Sequence, residues 1–206
     1  MTGRRLTVIG AGGHAKVVIA TARACGWTDL EIADDAPGRL GTQVLGVTIA
    51  REARAALADP DTLAIIAIGD NAIRSRLAET ARCEFTSLVH PRAYVEQSVA
   101  IGKGTVVFAG VIVQADAVLG EHTILNTSSS VDHDCVLGRA VHIGPGARLC
   151  GAVRVGDRTL IGVGAVVIPC IEIGRDVVVG GGAAVVNNLP SATVAVGVPA
   201  RVVSGV

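Results

Sequence analysis

The sequence predicts a three-sided parallel β-helix that follows a smaller α/β unit, and three observations support this. Every sixth residue over positions 89–185 is Val, Ile or Leu, seventeen in succession without a break in register. A fixed period of this kind is the signature of a repeat architecture. Before position 89, β-like apolar runs alternate with helical stretches, which is typical of a parallel sheet with crossovers. Glycine also recurs with a step of 18 residues, at Gly102, Gly120, Gly138, Gly156 and Gly174 and again at Gly144, Gly162 and Gly180.

Each six-residue unit predicts one short strand and one corner. The aliphatic residue points into the prism, and glycine relieves the backbone near the turn. Small residues four positions further on, such as Thr105, Ala117 and Cys135, suit a narrow triangular cross-section. Three units make one coil, so residues 18 apart in sequence should stack on one another. About five and a half coils would rise roughly 26 Å at ~4.8 Å per coil.

The first 88 residues predict a short parallel, Rossmann-like sheet with helices. We therefore divide the chain into an α/β domain at 1–88, a β-helix at 89–187 and a C-terminal tail at 188–206. The predicted elements of the first domain are strands at 6–9, 30–33, 44–49, 63–68 and 85–88 and helices that end near positions 24, 58 and 81.

Composition excludes several classes of function. The formal net charge is zero and no basic run occurs, so a nucleic-acid or anionic-membrane surface has no electrostatic support. No apolar run approaches the ~20 residues of a membrane span. The five cysteines are odd in number and lack C-x-x-C spacing, so we expect reduced thiols in a cytoplasmic protein.

The flat outer faces of such a prism need a cover. Three copies packed around a common axis would provide it with closed symmetry. We therefore expect a homotrimer.

Several motifs, taken together with the repeats, resemble one family over nearly the whole chain. It is the left-handed β-helix acetyltransferases that modify nucleotide-linked amino sugars, with the sialic acid O-acetyltransferases as close relatives. The resemblance implies the left-handed coil, acetyl-CoA as co-substrate and no metal. The motifs are Gly10-Ala11-Gly12-Gly13-His14-Ala15, Ala67-Ile68-Gly69-Asp70-Asn71, Val131-Asp132-His133-Asp134-Cys135 and Gly197-Val198-Pro199-Ala200.

His133 is the sharpest catalytic candidate, because it stands between two acids in a region of Val, Gly and Ala. An imidazole oriented by a carboxylate can accept an amine proton near pH 7, although a solvated corner histidine would have the same neighbours. The resemblance makes His133 the general base and Asp134 the residue that raises its basicity. Gly151 lies one coil later, so its N–H could bind the thioester oxygen as charge develops; a simple turn glycine is the alternative.

The acetyl-CoA site is expected between subunits. His142 follows His133 by nine residues, which is half a coil, so the two cannot share a face of one subunit. The resemblance assigns coenzyme contacts to His142, and also to Val163 and Gly181, which are 18 apart and form one column. Asn126 occupies the usual glycine slot of its unit, which points to the acceptor site or to a structural asparagine stack.

The N-terminal domain is expected to hold the acceptor. Its glycine-rich turn satisfies G-x-G-x-x-G/A between a strand and a helix, which alone fits a dinucleotide-binding fingerprint. The resemblance implies instead a nucleotide-sugar site, in which Gly12, Gly13 and His14 cradle phosphate and sugar at a helix N-terminus. It places Asp34 and Asp35 at the nucleotide base; both also fit a solvated strand end.

The favoured activity is acetyl transfer from acetyl-CoA to the amine of a nucleotide-diphosphate amino-deoxy sugar, through a ternary complex. O-acetylation of a sialic acid-type sugar is the alternative. A zinc carbonic anhydrase built on His122, His133 and His142 is disfavoured, because spacings of 11 and 9 share no column. An NAD-dependent dehydrogenase is disfavoured too, because the prism offers no usual hydride-acceptor site.

Overall fold

The computed structural model describes residues 4–205. Its first region is a six-stranded sheet with helices on both sides, in the strand order β3-β4-β2-β1-β5-β6. All neighbours are parallel except β3 and β4. The elements are β1 Leu6–Ile9, α1 Gly13–Ala24, β2 Leu30–Ala33, β3 Gln43–Val44, β4 Val47–Arg51, α2 Ala53–Ala58, β5 Leu63–Ile66, α3 Asn71–Thr80 and β6 Glu84–Phe85.

The strand expected at 44–49 is instead a tight antiparallel hairpin of β3 and β4. Leu45 and Gly46 form its turn with φ of 50° and 74°. Two central residues with positive φ give the turn whose twist matches paired strands, so the chain reverses where the apolar pattern alone predicts continuous extension. The coarser prediction, a short α/β region with a parallel sheet ahead of an all-β solenoid, is confirmed.

The solenoid consists of two-residue strands in three parallel sheets, which we call faces 1, 2 and 3. Partners lie 18 residues apart, as in the pair Val107 and Leu125, so the predicted stacking is confirmed. Face 1 contains β7 Leu88–Val89, β10 Val106–Val107, β13 Ile124–Leu125, β16 His142–Ile143, β19 Leu160–Ile161 and β22 Val178–Val179. Face 2 contains β8 Tyr94–Val95, β11 Ile112–Val113, β14 Ser130–Val131, β17 Arg148–Leu149, β20 Val166–Val167 and β23 Ala184–Val185. Face 3 contains β9 Ala100–Ile101, β12 Val118–Leu119, β15 Val136–Leu137, β18 Arg154–Val155 and β21 Glu172–Ile173.

The second residue of each strand points into a core that is aliphatic apart from Cys135. From Val107 onward these side chains are at most 3% exposed, and each contributes about 1.5–3 kcal/mol by burial. The corners complete the coil with a left-handed residue, as at Asp116, Asp134 and Ala152, each with φ of 60°. Asp tolerates this conformation better than most residues, so the corner geometry and the sequence agree there.

The end of the chain extends face 1. β24 Thr193–Val196 pairs in parallel with β22, and β25 Arg201–Gly205 pairs antiparallel with β24. No helix within residues 4–205 has the length and apolar character needed to cross a membrane.

The α/β region packs on face 1 of the solenoid. Outward-facing Leu88, Val106 and Ile124 on face 1 are each about 1% exposed, and they share one apolar cluster with Leu6 and Val8 of β1. This contact places face 1 of the solenoid beneath the carboxyl ends of the parallel strands. In open α/β sheets that edge is where ligands bind.

Candidate active site

His133 lies at the corner between faces 2 and 3, which we call the base corner (residues 132–135, 150–153 and their stacked equivalents). Its side chain is 60% exposed. The ring Nδ1 is 2.7 Å from Oδ2 of Asp134, while Oδ1 of Asp132 accepts the backbone N–H of His133 at 2.9 Å. Asp134 therefore orients the ring and Asp132 orients the backbone, a division that the sequence leaves open.

Gly151 lies directly against the imidazole, as the 18-residue step predicts. A Cβ atom on Gly151 would come within 2.6 Å of His133 Nε2 and 2.5 Å of Cε1. Only glycine leaves room for the ring in this position. Gly151 is buried beside the imidazole, and among the described residues no backbone acceptor takes its N–H.

The acidic neighbours make His133 a stronger base. The hydrogen bond to Asp134 is the main cause that raises the pKa of His133 above its ordinary 6.5, and the charges of Asp132 and Asp134 add to it. An ionised carboxylate only accepts hydrogen bonds, so Nδ1 carries the proton and the free lone pair of the neutral ring is on Nε2, the side of Gly151.

A second histidine group lies on face 1, under the α/β region. The rings of His14 and His142 have centroids 6.1 Å apart, and Phe108 packs edge-on against His14 at 5.5 Å. Burial is the main cause that lowers the pKa of both histidines to about 4, and the nearby Arg74 guanidinium adds to this. Both rings are therefore neutral at physiological pH.

The hydrogen bonds of Asn126 define the state of His142. Oδ1 of Asn126 accepts the backbone N–H of Thr127 at 2.8 Å, so its Nδ2 faces Nε2 of His142 at 3.0 Å as a donor. Nε2 of His142 is then an acceptor, and the ring proton is on Nδ1. Asn126 thus contacts His142 directly, which the sequence reading does not predict.

The Val163–Gly181 column lies at the corner between faces 1 and 2. A Cβ on Gly181 would be 3.0 Å from Cγ1 of Val163, which confirms that the two residues stack. Val163 is 61% exposed, an unusual position for a valine side chain. The column therefore offers an accessible apolar strip along the solenoid.

The glycine-rich turn leads from β1 into α1, with Gly12 as the helix N-cap. Both carboxylate oxygens of Asp34 bind backbone N–H groups near this turn. Oδ2 accepts the N–H of Ala11 at 2.7 Å, and Oδ1 accepts that of Ala36 at 2.9 Å. Asp35 accepts the N–H of Arg54 at 3.2 Å. Asp34 thus holds the glycine-rich turn and Asp35 holds the start of α2, structural roles that the sequence does not predict.

The predicted site residues therefore form separate groups in one chain. His133, Asp134 and Gly151 meet at the base corner, which is the vertex opposite face 1. The second group, on or beside face 1, comprises Gly12, Gly13, His14, Asp34, Asn126 and His142, with Val163 and Gly181 at the next corner.

The three histidines of the zinc alternative also lie apart. His122 is 3% exposed, lies at the corner between faces 3 and 1 and packs edge-on against Phe85 at 4.6 Å. Within residues 4–205 no cluster of three or more His, Cys, Asp or Glu side chains could hold a metal ion.

Comparison with known proteins identifies the family of this chain. Residues 5–81 match the model of the PglD N-terminal domain. The chain is 42% identical to perosamine N-acetyltransferase from Caulobacter crescentus, solved as a histidine-to-asparagine variant with CoA and GDP-perosamine, and the match covers 98% of both chains with a TM-score of 0.91. The chain belongs to the hexapeptide-repeat N-acetyltransferases of nucleotide-linked amino sugars.

Two further members support this assignment. The acetyltransferase domain of PglB from Neisseria gonorrhoeae, in complex with acetyl coenzyme A, is 37% identical over 98% of this chain and all (100%) of that chain, with a TM-score of 0.92. UDP-N-acetylbacillosamine N-acetyltransferase from Bacillus subtilis is 38% identical over 114 residues, which span 52% of this chain and 52% of that protein. The predicted resemblance, and with it the left-handed sense of the coil, is confirmed.

Proposed function

We propose that this protein transfers the acetyl group of acetyl-CoA to the amine of a nucleotide-linked amino sugar, with His133 as the general base. One observation carries the proposal: an exposed imidazole, bound through Nδ1 to Asp134 at 2.7 Å, presents Nε2 to the bare backbone of Gly151. The relatives that bind CoA, acetyl-CoA or GDP-perosamine support both substrates.

The reaction follows from this geometry. The amine nitrogen attacks the thioester carbonyl carbon while Nε2 of His133 takes one N–H proton. The developing oxyanion lies near the N–H of Gly151. The C–S bond then breaks, and the imidazolium returns its proton to the leaving thiolate, which yields the amide and free CoA. Asp134 stabilises the imidazolium and keeps the ring in one tautomer.

The complete site forms between copies of the chain. The base corner is opposite the face that carries the α/β region, so a nucleotide sugar bound at Gly12, Gly13 and His14 lies far from the base of its own chain. Asp34 and Asp35, which follow β2 in the same region, lie beside the nucleotide base. In a closed trimer the neighbouring copy supplies the base.

Exposed apolar residues on the solenoid support the trimer. On face 2, Tyr94, Ile112 and Val166 are 57%, 41% and 42% exposed, and on face 3 Val118 is 42% exposed. Coenzyme A would lie in the groove between copies, against Val163 and Gly181. His142, fixed by Asn126, forms the wall of that groove next to the sugar.

Two finer assignments belong to the same proposal. The Rossmann-like domain at 1–88 binds the acceptor. The solenoid at 89–187 carries out acetyl transfer. A cytoplasmic site of action fits the five cysteines, which are all free. Acetylation of a sialic acid-type hydroxyl is not favoured, because the named relatives are N-acetyltransferases.

A substrate panel tests the proposal. UDP-, dTDP- and GDP-linked amino sugars are each incubated with acetyl-CoA, and thiol release is followed for the wild type. We expect turnover with one nucleotide class and none with the matching sugar that carries a hydroxyl in place of the amine. Absence of thiol release with every amine would overturn the proposal, and light scattering that gives a stable monomer would overturn the site between copies.

A further inference from the structure

A buried guanidinium joins the two regions of the chain. Arg74, on α3, is 1% exposed, although burying a charge without a partner is costly. Asp70 is the one carboxylate that raises its pKa, whereas burial lowers this pKa to about 10. The carboxylate of Asp70 accepts the N–H of Ile73 at the start of α3, while the hydrogen bonds of the guanidinium go to other oxygens. The free-energy cost of burying the Arg74 cation must therefore be offset by other interactions.

Neutral oxygens take all five N–H groups of the guanidinium. On the side of the α/β region, Nη1 binds the carbonyls of Ile68 and Gly69 at 2.9 and 3.2 Å, and Nη2 binds Oδ1 of Asn71 at 2.7 Å. On the side of the solenoid, Nε binds the carbonyl of His122 and Nη2 that of Ala140, both at 2.8 Å. A planar fork with five donors fits this set, and lysine cannot reproduce it.

The solenoid acceptors form a regular strip. His122, Ala140 and Arg158 are 18 residues apart, lie at the corner between faces 3 and 1 and have left-handed φ of 56°, 52° and 57°. Their carbonyls therefore stack in successive coils. Arg74 takes the first two, and Nδ2 of Asn71 takes the third at 3.0 Å. We call these three carbonyls the docking strip.

The same contacts continue to the acceptor loop. Ile68, held by Arg74 through its carbonyl, packs against Gly10, where a Cβ would be 3.0 Å from Cγ1 of Ile68. Gly10 has φ of 102° and opens the turn that leads to Gly12. The carbonyl of Gly69 also interacts with His142. A shift of the guanidinium would thus move both the acceptor loop and His142.

We propose that Arg74, with Asn71, is a positioning device for acetyl transfer, which locks the nucleotide-sugar region onto the docking strip and so sets where the sugar amine lies. The inference rests on the proposed function. Because the base comes from another corner and another copy, the orientation of the α/β region on its own solenoid decides the distance between amine and base. The acetyl-CoA column at Val163 and Gly181 has no contact with this device.

The test compares kinetic constants of Arg74→Met, Arg74→Lys and Asn71→Ala in the full-length protein. We expect Arg74→Met to lower kcat/KM for the nucleotide sugar about 100-fold, the cost of misplacing a reacting group by roughly 1 Å. KM for acetyl-CoA should change much less, because within the described part of the chain the Val163–Gly181 column has no contact with Arg74 and only His142 links the guanidinium to the coenzyme groove. Arg74→Lys should recover part of the loss, and Asn71→Ala should show a smaller loss of the same kind.

Arg51→Met is the matched control. Arg51, at the end of β4, is a partly buried cation of the same α/β region that binds Glu31 and Thr62 at 3.0 and 2.6 Å, away from the solenoid. It should lower the melting temperature and leave the kinetic constants of the folded fraction unchanged. Wild-type kinetics in Arg74→Met, or a loss that tracks only the folded fraction and equals that of Arg51→Met, would overturn the inference. Inactive wild type on the amine panel would instead overturn the proposed function.

Discussion

Histidine side chains have opposite pKa shifts in two regions of this molecule. At the base corner, His133 is exposed between two carboxylates, and its pKa is raised. Under the α/β region, His14 and His142 are largely buried beside a cation, and their pKa falls to about 4. Neighbouring charge and burial together decide whether an imidazole can exchange protons near pH 7 or serves as a neutral hydrogen-bonding wall.

Removing the exposed imidazole should have the largest effect. We expect His133→Asn to lower kcat by roughly 10²–10⁴-fold, the usual contribution of a general base, with an unchanged melting temperature because the ring is exposed. Thiol release with saturating acetyl-CoA measures this. His90→Asn, at a corner of the first coil, is the control, and equal turnover in both variants would end the assignment.

Removing the orienting acid should have the next largest effect. Asp134→Asn keeps the shape and suits the left-handed corner, but it releases Nδ1 of His133. We expect kcat to fall about 10- to 100-fold. The wild-type rate should fall on the acid side as His133 becomes protonated, at a pH above 6.5. In the variant this limb should move to lower pH, because the main cause of the raised pKa is gone.

Asp132→Asn is the comparison for that variant. Asp132 binds the backbone N–H of His133 and not its ring, so both the loss of rate and the shift of the acid limb should be smaller. A pH–rate profile of the three proteins checks the order. A larger shift in Asp132→Asn than in Asp134→Asn would assign the orienting role to the other acid.

Adding one methyl group at the base corner should have a moderate effect. The Cβ of Gly151→Ala would overlap the ring of His133 and push it from its position, so we expect kcat to fall about 10-fold. In a His133→Asn background the same change should have little further effect, because the displaced group is already absent. Additive losses in the double variant would separate Gly151 from the imidazole.

Protonation of the buried histidines on acidification should lower the stability of the fold. His14, His122 and His142 have a pKa of about 4 in the folded protein, below the ordinary 6.5. The unfolded chain therefore binds more protons between pH 6.5 and 4, so the free energy of unfolding should decrease over that window and level off below it. We expect a loss on the order of 1–2 kcal/mol per histidine by pH 5.

Thermal unfolding at pH 7.5, 6 and 5 measures this loss. His122→Asn removes the histidine that is 3% exposed and keeps a residue suited to its φ of 56°. The variant should lose less stability on acidification than the wild type. Parallel curves for the two proteins would contradict the pKa assigned to His122.

The periodicity of the sequence explains which parts of the structure could be predicted from it. The six-residue step places every strand of the solenoid, and the 18-residue step alone brings Gly151 against His133. No such rule applies where the two regions meet. That Asn126 donates to His142, or that Arg74 finds the carbonyls of His122 and Ala140, depends on packing between segments distant in sequence. The sequence therefore predicts the base corner more completely than the acceptor side.

The regular stacking of the corners also sets distances along the axis of the solenoid. Because every coil repeats the same three corners, an insertion or deletion of 18 residues would leave each remaining side chain on its edge of the prism. An 18-residue insertion between Ile124 and His133 would translate the imidazole along the axis by about 4.8 Å relative to Leu88, Val106 and Ile124, on which the α/β region packs. That is farther than a proton can be passed in one hydrogen bond. We therefore expect the number of coils between these packing contacts and His133 to matter for acetyl transfer as much as the chemical identity of the base.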